Sequence, residues 1–297
     1  MTMRYLLFGC DVIYKKMRTH YIVLLLIPFF SFSQKTISVN YKKWNLKSYP
    51  ESKINIGGNE GYYYDNVSEP QMDLYLAKGD NITDKAMIIC PGGGLYFLSY
   101  VKEGIEVAKK LASNGITAIV LKYRTYPREG SVYKWHKTFC CDNKIAIDSA
   151  KTILPYSSKD ALSAIEIIRN KAKKYNIDPN KIGLMGFSAG GAVTMEATYK
   201  STPKNQPNFI APIYPWMHIV EKQKVPQNKP AAFISCANDD PLRLAAPSVQ
   251  IYNDWISANA KAELHMFSKG GHGYGMNDLS IPVSKWSDLL VDWILSL

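Results

Sequence analysis

The chain has little that could form a metal-binding or disulfide framework. Five cysteines are spread over 297 residues, and no Cys or His spacing fits a zinc site. Cys90 and Cys236 end apolar runs and read as buried small residues. Cys140 and Cys141 are adjacent in a polar stretch, and sequence alone assigns them no bridge. Zinc-finger and RNA-binding signatures and long Lys/Arg runs are also missing, which argues against nucleic acid as a partner. Gly92-Gly93-Gly94 is not followed by Lys-Ser/Thr, so a phosphate loop is excluded. A dinucleotide fingerprint over Gly183–Gly191 fails as well, because no following strand ends in a suitably placed acid. There is no internal repeat, no low-complexity stretch and no apolar lid. The chain is expected to work without metal or cofactor.

Long hydrophobic runs are almost absent. The one run, Tyr21–Phe30, is interrupted by Pro28 and is too short to span a bilayer well. Lys15, Lys16 and Arg18 precede it, and Ser31, Ser33 and Gln34 follow, which is the layout of an export signal. Residues 1–33 are therefore expected to be a signal peptide, with Met17 the natural start and residues 1–16 an upstream extension. A retained anchor is the alternative, and a lipoprotein reading at Cys10 has too few apolar residues before it. The mature chain should be secreted or periplasmic, with no stable membrane insertion. Acidic side chains are outnumbered, giving a net charge of +11, or about +8 without residues 1–33. We read this excess as ordinary surface charge, with attraction to acidic polysaccharide as the alternative.

Residues 34–60 are polar and read as an irregular lead-in, and residues 61–297 read as a single domain. Tyr62 to Leu76 alternates and predicts antiparallel strands opening a sheet. Short apolar runs at Ala86–Cys90, Phe209–Ile213 and Ala231–Cys236 predict buried strands, Thr117–Leu121 and Ala262–Phe267 predict further strands, and a short apolar segment after Asp178-Pro179 predicts one more ahead of Ser188. Helical spacing falls between them, at about 102–114, 158–175, 248–258 and 285–295. Tyr126 to Pro155, rich in Tyr, Trp, His, Lys and Cys, reads as an insertion over one face. Alternating strands and helices imply an α/β fold, a mostly parallel sheet with helices on both faces.

The most informative run is Gly186-Phe187-Ser188-Ala189-Gly190. A strand that enters Gly-x-Ser-x-Gly and leaves as a helix puts the serine on a strained turn, with its hydroxyl lifted from the sheet. Such a serine needs an acid and then a histidine further along the chain. Asn238-Asp239-Asp240-Pro241 follows a predicted strand, with Asp240 the preferred acid and Asp239 the reserve. His272 sits among Gly270, Gly271, Gly273 and Gly275, whose freedom could bring its ring to Ser188. His136 and His218 precede the acid, and His265 sits inside a strand. Oxyanion donors are expected from the backbone N–H groups of Ala189 and of Gly93 or Gly94. Among nearby aromatics, Tyr96, Trp216 and Tyr274 are the candidates to touch substrate, with Phe97 and Tyr100 close in sequence.

Six segments occur in this order: Cys90-Pro91-Gly92-Gly93-Gly94, Leu121-Lys122-Tyr123-Arg124, Asp178-Pro179-Asn180-Lys181-Ile182, Gly186–Gly191, Asn238–Pro241 and Gly270–Gly273. Together they resemble the secreted carbohydrate-esterase branch of the α/β hydrolases, which holds acetylxylan-esterase-like and feruloyl-esterase-like enzymes. The resemblance runs from about residue 62 to the C-terminus. It implies an α/β-hydrolase catalytic domain that removes acyl groups, acetyl above all, from a polysaccharide such as xylan. Another carboxylesterase or a peptidase of the same fold, or a non-catalytic carbohydrate-binding relative, is the alternative. Pro91 stands where relatives often have His before the glycines, and Ala192 where they often have His after the elbow.

Overall fold

A computed structural model describes residues 35–55, 61–130 and 144–297. The predicted export segment, Cys10, Trp135, His136, Cys140 and Cys141 lie outside the described residues. The strands are β1 (Lys35–Ser38), β2 (Ser52–Asn55), β3 (Tyr62–Asp65), β4 (Gln71–Tyr75), β5 (Ala86–Cys90) and β6 (Phe97–Leu98), then β7 (Thr117–Lys122), β8 (Ile182–Phe187), β9 (Phe209–Ile213), β10 (Ala231–Ala237) and β11 (Ala262–Phe267). The helices are α1 (Glu106–Ser113), α2 (Lys144–Asn170), α3 (Ala189–Lys200), α4 (Ala245–Ser257) and α5 (Trp286–Ser296).

Eight strands form one sheet in the order β1-β4-β7-β5-β8-β9-β10-β11. β1 and β4 pair antiparallel at one side, and from β7 onward every pairing is parallel. Every residue of β5, β7, β8 and β9 is buried, as central parallel strands covered on both faces require. α2 packs on α3, and α1 packs on α5. This is the expected α/β hydrolase fold.

α1 shows how local sequence sets an element. Val107, Ala108, Leu111 and Ala112 form its buried stripe. Beyond the helix, Gly115 takes φ +79°. The N–H groups of Gly115 and Ile116 return to the carbonyls of Ala112 and Leu111 in a Schellman end. A side chain at Gly115 would place its Cβ 2.0 Å from the Asn81 carbonyl oxygen.

Three expectations need correction. The lead-in is not irregular throughout, because β1 joins the main sheet and β2 pairs with β3. Tyr62–Asp65 does not open the main sheet. It lies in a separate antiparallel sheet of order β2-β3-β6. The stretch before residue 158 is also helical from Lys144, with Pro155 inside α2. Proline removes the bond to the carbonyl four residues back, and that residue, Lys151, is exposed. The Ser157 hydroxyl donates to the carbonyls of Arg124 and Ile153, which supports the turn beyond the proline.

Candidate active site

Four loops at the carboxyl ends of β5, β8, β10 and β11 converge. Open α/β sheets build sites at such ends. Ser188 follows β8 and has φ +50° and ψ −116°, a conformation that L-residues adopt only under constraint. The constraint is visible in the neighbouring glycines. A Cβ on Gly186 would lie 2.1 Å from the Gly190 oxygen, and one on Gly190 would lie 2.0 Å from the Cys90 oxygen. The elbow therefore rests directly on the loop after β5.

Ser188 Oγ lies 3.0 Å from His272 Nε2, and His272 Nδ1 lies 2.9 Å from Asp240 Oδ2. The Asp240 side chain is fully buried and that of His272 is 22% exposed. The Leu242 N–H donates to the other Asp240 oxygen at 2.8 Å. Asp239 is exposed and does something different: its Oδ1 accepts the Gly271 N–H at 2.8 Å, holding the loop that carries His272. Gly271 and Gly273 flank the ring with φ +63° and +74°. A serine–imidazole–carboxylate chain of this kind can move a proton from hydroxyl to ring while the carboxylate fixes the tautomer.

A cleft of about 290 Å³ opens over these groups. Gly93 and Gly94 line it beside Ser188 and His272. Ala189 opens α3 immediately after Ser188. The N–H groups of Gly93, Gly94 and Ala189 make no hydrogen bond among the described residues. Pro91 is held from behind, its carbonyl accepting the Tyr123 hydroxyl at 2.5 Å. Among the described residues, no group of three or more His, Cys, Asp or Glu could hold a metal ion.

The expected substrate-contacting aromatics are corrected. Tyr96, Trp216 and Tyr274 are 2%, 3% and 2% exposed and do not line the cleft. The Tyr96 hydroxyl donates to the Ala146 carbonyl, and the Trp216 N–H donates to the Ser188 carbonyl. The Tyr274 hydroxyl pairs with Ser235 Oγ. These residues brace the site from inside. The cleft wall is made instead by Tyr63 and Phe97, stacked with ring centroids 5.0 Å apart, and by Leu242, Lys102 and Asn277. Tyr100 is buried, its hydroxyl donating to Asp73. Alternation along β3 explains the selection of Tyr63. Tyr62 and Tyr64 turn toward Tyr100, and Tyr63 faces the other way, beside Phe97.

A larger hollow of about 950 Å³ lies elsewhere, between residues 40–45 and α2. Its floor is the buried Arg124–Asp160 ion pair, and no residue of the Ser188 cleft lines it. Burial pushes the Asp160 carboxyl up, and Arg124 works against that by hydrogen bonding and charge. Arg124 also holds the Lys42 carbonyl and faces the rings of Tyr41, Trp44 and Tyr156. The contacts with Lys42, Tyr41 and Trp44 pin the lead-in to the domain. Cys90 and Cys236 are buried free thiols, and burial raises Cys236 to about 12.

Comparisons agree with this topology. A family model described as α/β hydrolase fold matches residues 149–269, a range that includes Ser188 and Asp240. An acetylxylan esterase of Xylanibacter ruminicola is 27% identical over 235 residues, covering 69% of this chain and 44% of that protein. Endo-1,4-beta-xylanase B of Butyrivibrio fibrisolvens is 27% identical over 170 residues, covering 57% of this chain and 22% of that protein. The chain thus spans less than half the length of either relative. The solved structure of an acetyl ester-xyloside bifunctional hydrolase from Caldicellulosiruptor lactoaceticus superposes with TM-score 0.58 at 24% identity, covering 77% of this chain and 88% of that one. By sheet order, by the matching family model and by these structural likenesses, the chain has the α/β hydrolase fold.

Proposed function

We propose that this protein is a serine esterase that removes acyl groups, acetyl in the first place, from carbohydrate such as xylan. One observation carries the chemistry: the hydrogen-bonded sequence Ser188–His272–Asp240 at 3.0 and 2.9 Å. Ser188 attacks the ester carbonyl, and His272 takes the hydroxyl proton. Asp240 stabilises the imidazolium. The N–H groups of Gly93 or Gly94 and of Ala189 receive the oxyanion. His272 then protonates the leaving sugar oxygen, and a water activated by the same ring releases the acid from Ser188. No step calls on a metal or cofactor. The carbohydrate part of the reading rests on likeness to the acetylxylan esterase. The apolar run after Lys15, Lys16 and Arg18 supports export, so the substrate would be met outside the cytoplasm.

The test is acetate release from acetylated xylan by the full chain beside Ser188→Ala. The expected result is release by the wild type and a loss on the order of 10³-fold or more in the variant. Hydrolysis of ethyl acetate without release from xylan would keep the esterase chemistry and remove the xylan assignment. Preference for feruloylated sugar would point to the aryl-ester alternative, which the Tyr63–Phe97 stack could also seat. Absence of both hydrolysis and labelling by a fluorophosphonate would overturn the proposal in favour of a binding protein.

A further inference from the structure

Glu103 takes no part in the chemistry above, yet two of the site's loops meet at its carboxylate. It lies in a π-type turn, Val101–Ile105, that leads into α1, and it is 5% exposed. Such turns are rare and often mark functional positions. Glu103 Oε2 accepts the Gly92 N–H at 2.8 Å. Its Oε1 accepts the Tyr214 hydroxyl at 2.7 Å. The Tyr214 oxygen in turn accepts the Gly275 N–H at 3.0 Å.

The donors form an ordered relay. Gly275 N–H donates to Tyr214, and Tyr214 O–H donates to Glu103. Gly92 N–H arrives at the second carboxylate oxygen. Gly92 immediately precedes the Gly93–Gly94 turn, and Gly275 closes the loop that bears His272. The Tyr214 ring stands edge-on to the His272 ring, with centroids 5.1 Å apart. Its own N–H is tied to the Ser235 carbonyl at 2.6 Å. Burial, and then the Glu103 charge, hold the Tyr214 phenol well above its ordinary range, so it stays a donor.

Only a side chain with two acceptor oxygens and no donor satisfies this pattern. Glutamine would aim an N–H at a hydroxyl already committed to donate toward it. The packing is close: a Cβ on Gly92 would lie 2.6 Å from Glu103 Oε2, and one on Gly275 would lie 3.2 Å from Glu103 Cγ.

We infer that Glu103 is a positioning residue that sets the oxyanion loop and the His272 loop in register, acting through Gly92 and Tyr214. This rests on the serine-esterase reading. Its test uses Glu103→Gln, Tyr214→Phe and the double variant in the full chain. Ethyl acetate is the substrate, and fluorophosphonate titration counts competent sites. Glu103→Gln is expected to lower kcat per titrated site roughly 10- to 100-fold, less than or comparable to loss of one oxyanion donor. Glu103 also borders the cleft, but its two oxygens are engaged by Gly92 and Tyr214, so KM should stay within about twofold. Tyr214→Phe should lose less, and the double variant no more than Glu103→Gln alone, since both act in one relay. A lower Tm with unchanged kcat per site in both single variants would overturn the inference, leaving Glu103 as packing only. If Glu103→Gln does not fold, Tyr214→Phe alone decides by the same per-site kcat. A wild type that neither turns over nor labels would sink the esterase reading instead. An active wild type with unaffected variants would sink only this inference.

Discussion

The ends of the parallel strands and the small β2-β3-β6 sheet both shape the cleft, by different means. Ser188, Asp240 and His272 each follow a strand of the main sheet directly, within loops whose length and direction are set by parallel pairing. Tyr63 and Phe97 come from paired antiparallel strands and give their rings to the cleft wall, and the Phe97 N–H also donates to the Gly93 carbonyl. The first region places atoms that must meet within hydrogen-bond distance. The second supplies a surface on which a ring can rest. The proposed function assigns chemistry to the first and selectivity to the second, and each can be altered while the other is watched.

The largest effect should come from the adjacent aspartates. Asp240→Asn should reduce kcat on any ester by on the order of 10³- to 10⁴-fold, because the amide no longer fixes the imidazole tautomer or balances its charge. Asp239→Asn should cost only a few-fold, as its oxygen can still accept the Gly271 N–H. Steady-state rates of the two variants on one small ester make the measurement. Equal losses would break the distinction drawn between a buried and an exposed carboxylate.

A smaller change is expected across the cleft wall. Tyr63→Ala should raise KM for acetylated xylo-oligosaccharide roughly tenfold, about 1.4 kcal/mol of lost ring contact. On ethyl acetate, kcat/KM should stay within about twofold. A parallel loss on both substrates would mean that the small sheet also positions the reacting groups.

The smallest lies outside both regions. Lys110 on α1 and Asp288 on α5 pair at 2.6 Å on the surface, and Lys110 holds the Asp288 carboxyl below its ordinary range. A carboxyl depressed in the folded state adds stability above its unfolded pKa, and that contribution is lost as pH falls through the folded value. Asp288→Asn should therefore lower stability at neutral pH by only a few tenths of a kcal/mol, given the solvent exposure of the pair. The difference should close as pH drops below the carboxylate range, with kcat unaffected. Denaturant melts at two pH values, with an assay alongside, check both statements.

What could be read from sequence follows the same division. Strands β5 and β9 have the predicted bounds because fully buried strands are short unbroken apolar runs, and β11 has them too although it is only half-buried. Ser188 and His272 stood out because their turns need glycines at close spacing, a local signal. Tyr63 gave no such signal. Its orientation depends on β3 pairing with β2 and β6, up to 35 residues away along the chain. Glu103 and Tyr214 were equally silent, being 111 residues apart. Tyr96, Trp216 and Tyr274 misled because residue type does not reveal which side of a loop faces inward. The first three turns of α2 were hidden by Pro155, a residue that ordinarily ends a helix.

The contact between Gly190 and the Cys90 carbonyl has a practical corollary. β5 and β8 are neighbours, with Cys90 opposite Gly186, so the Ser188 turn and the Gly92–Gly94 loop are seated on one hydrogen-bonded ladder. Such a unit leaves no room for side-chain variation at its seam. Anyone retargeting the protein to a new ester would do best to leave that seam untouched and diversify the aromatic wall, where residues are half-buried and the backbone is not wedged against the nucleophile.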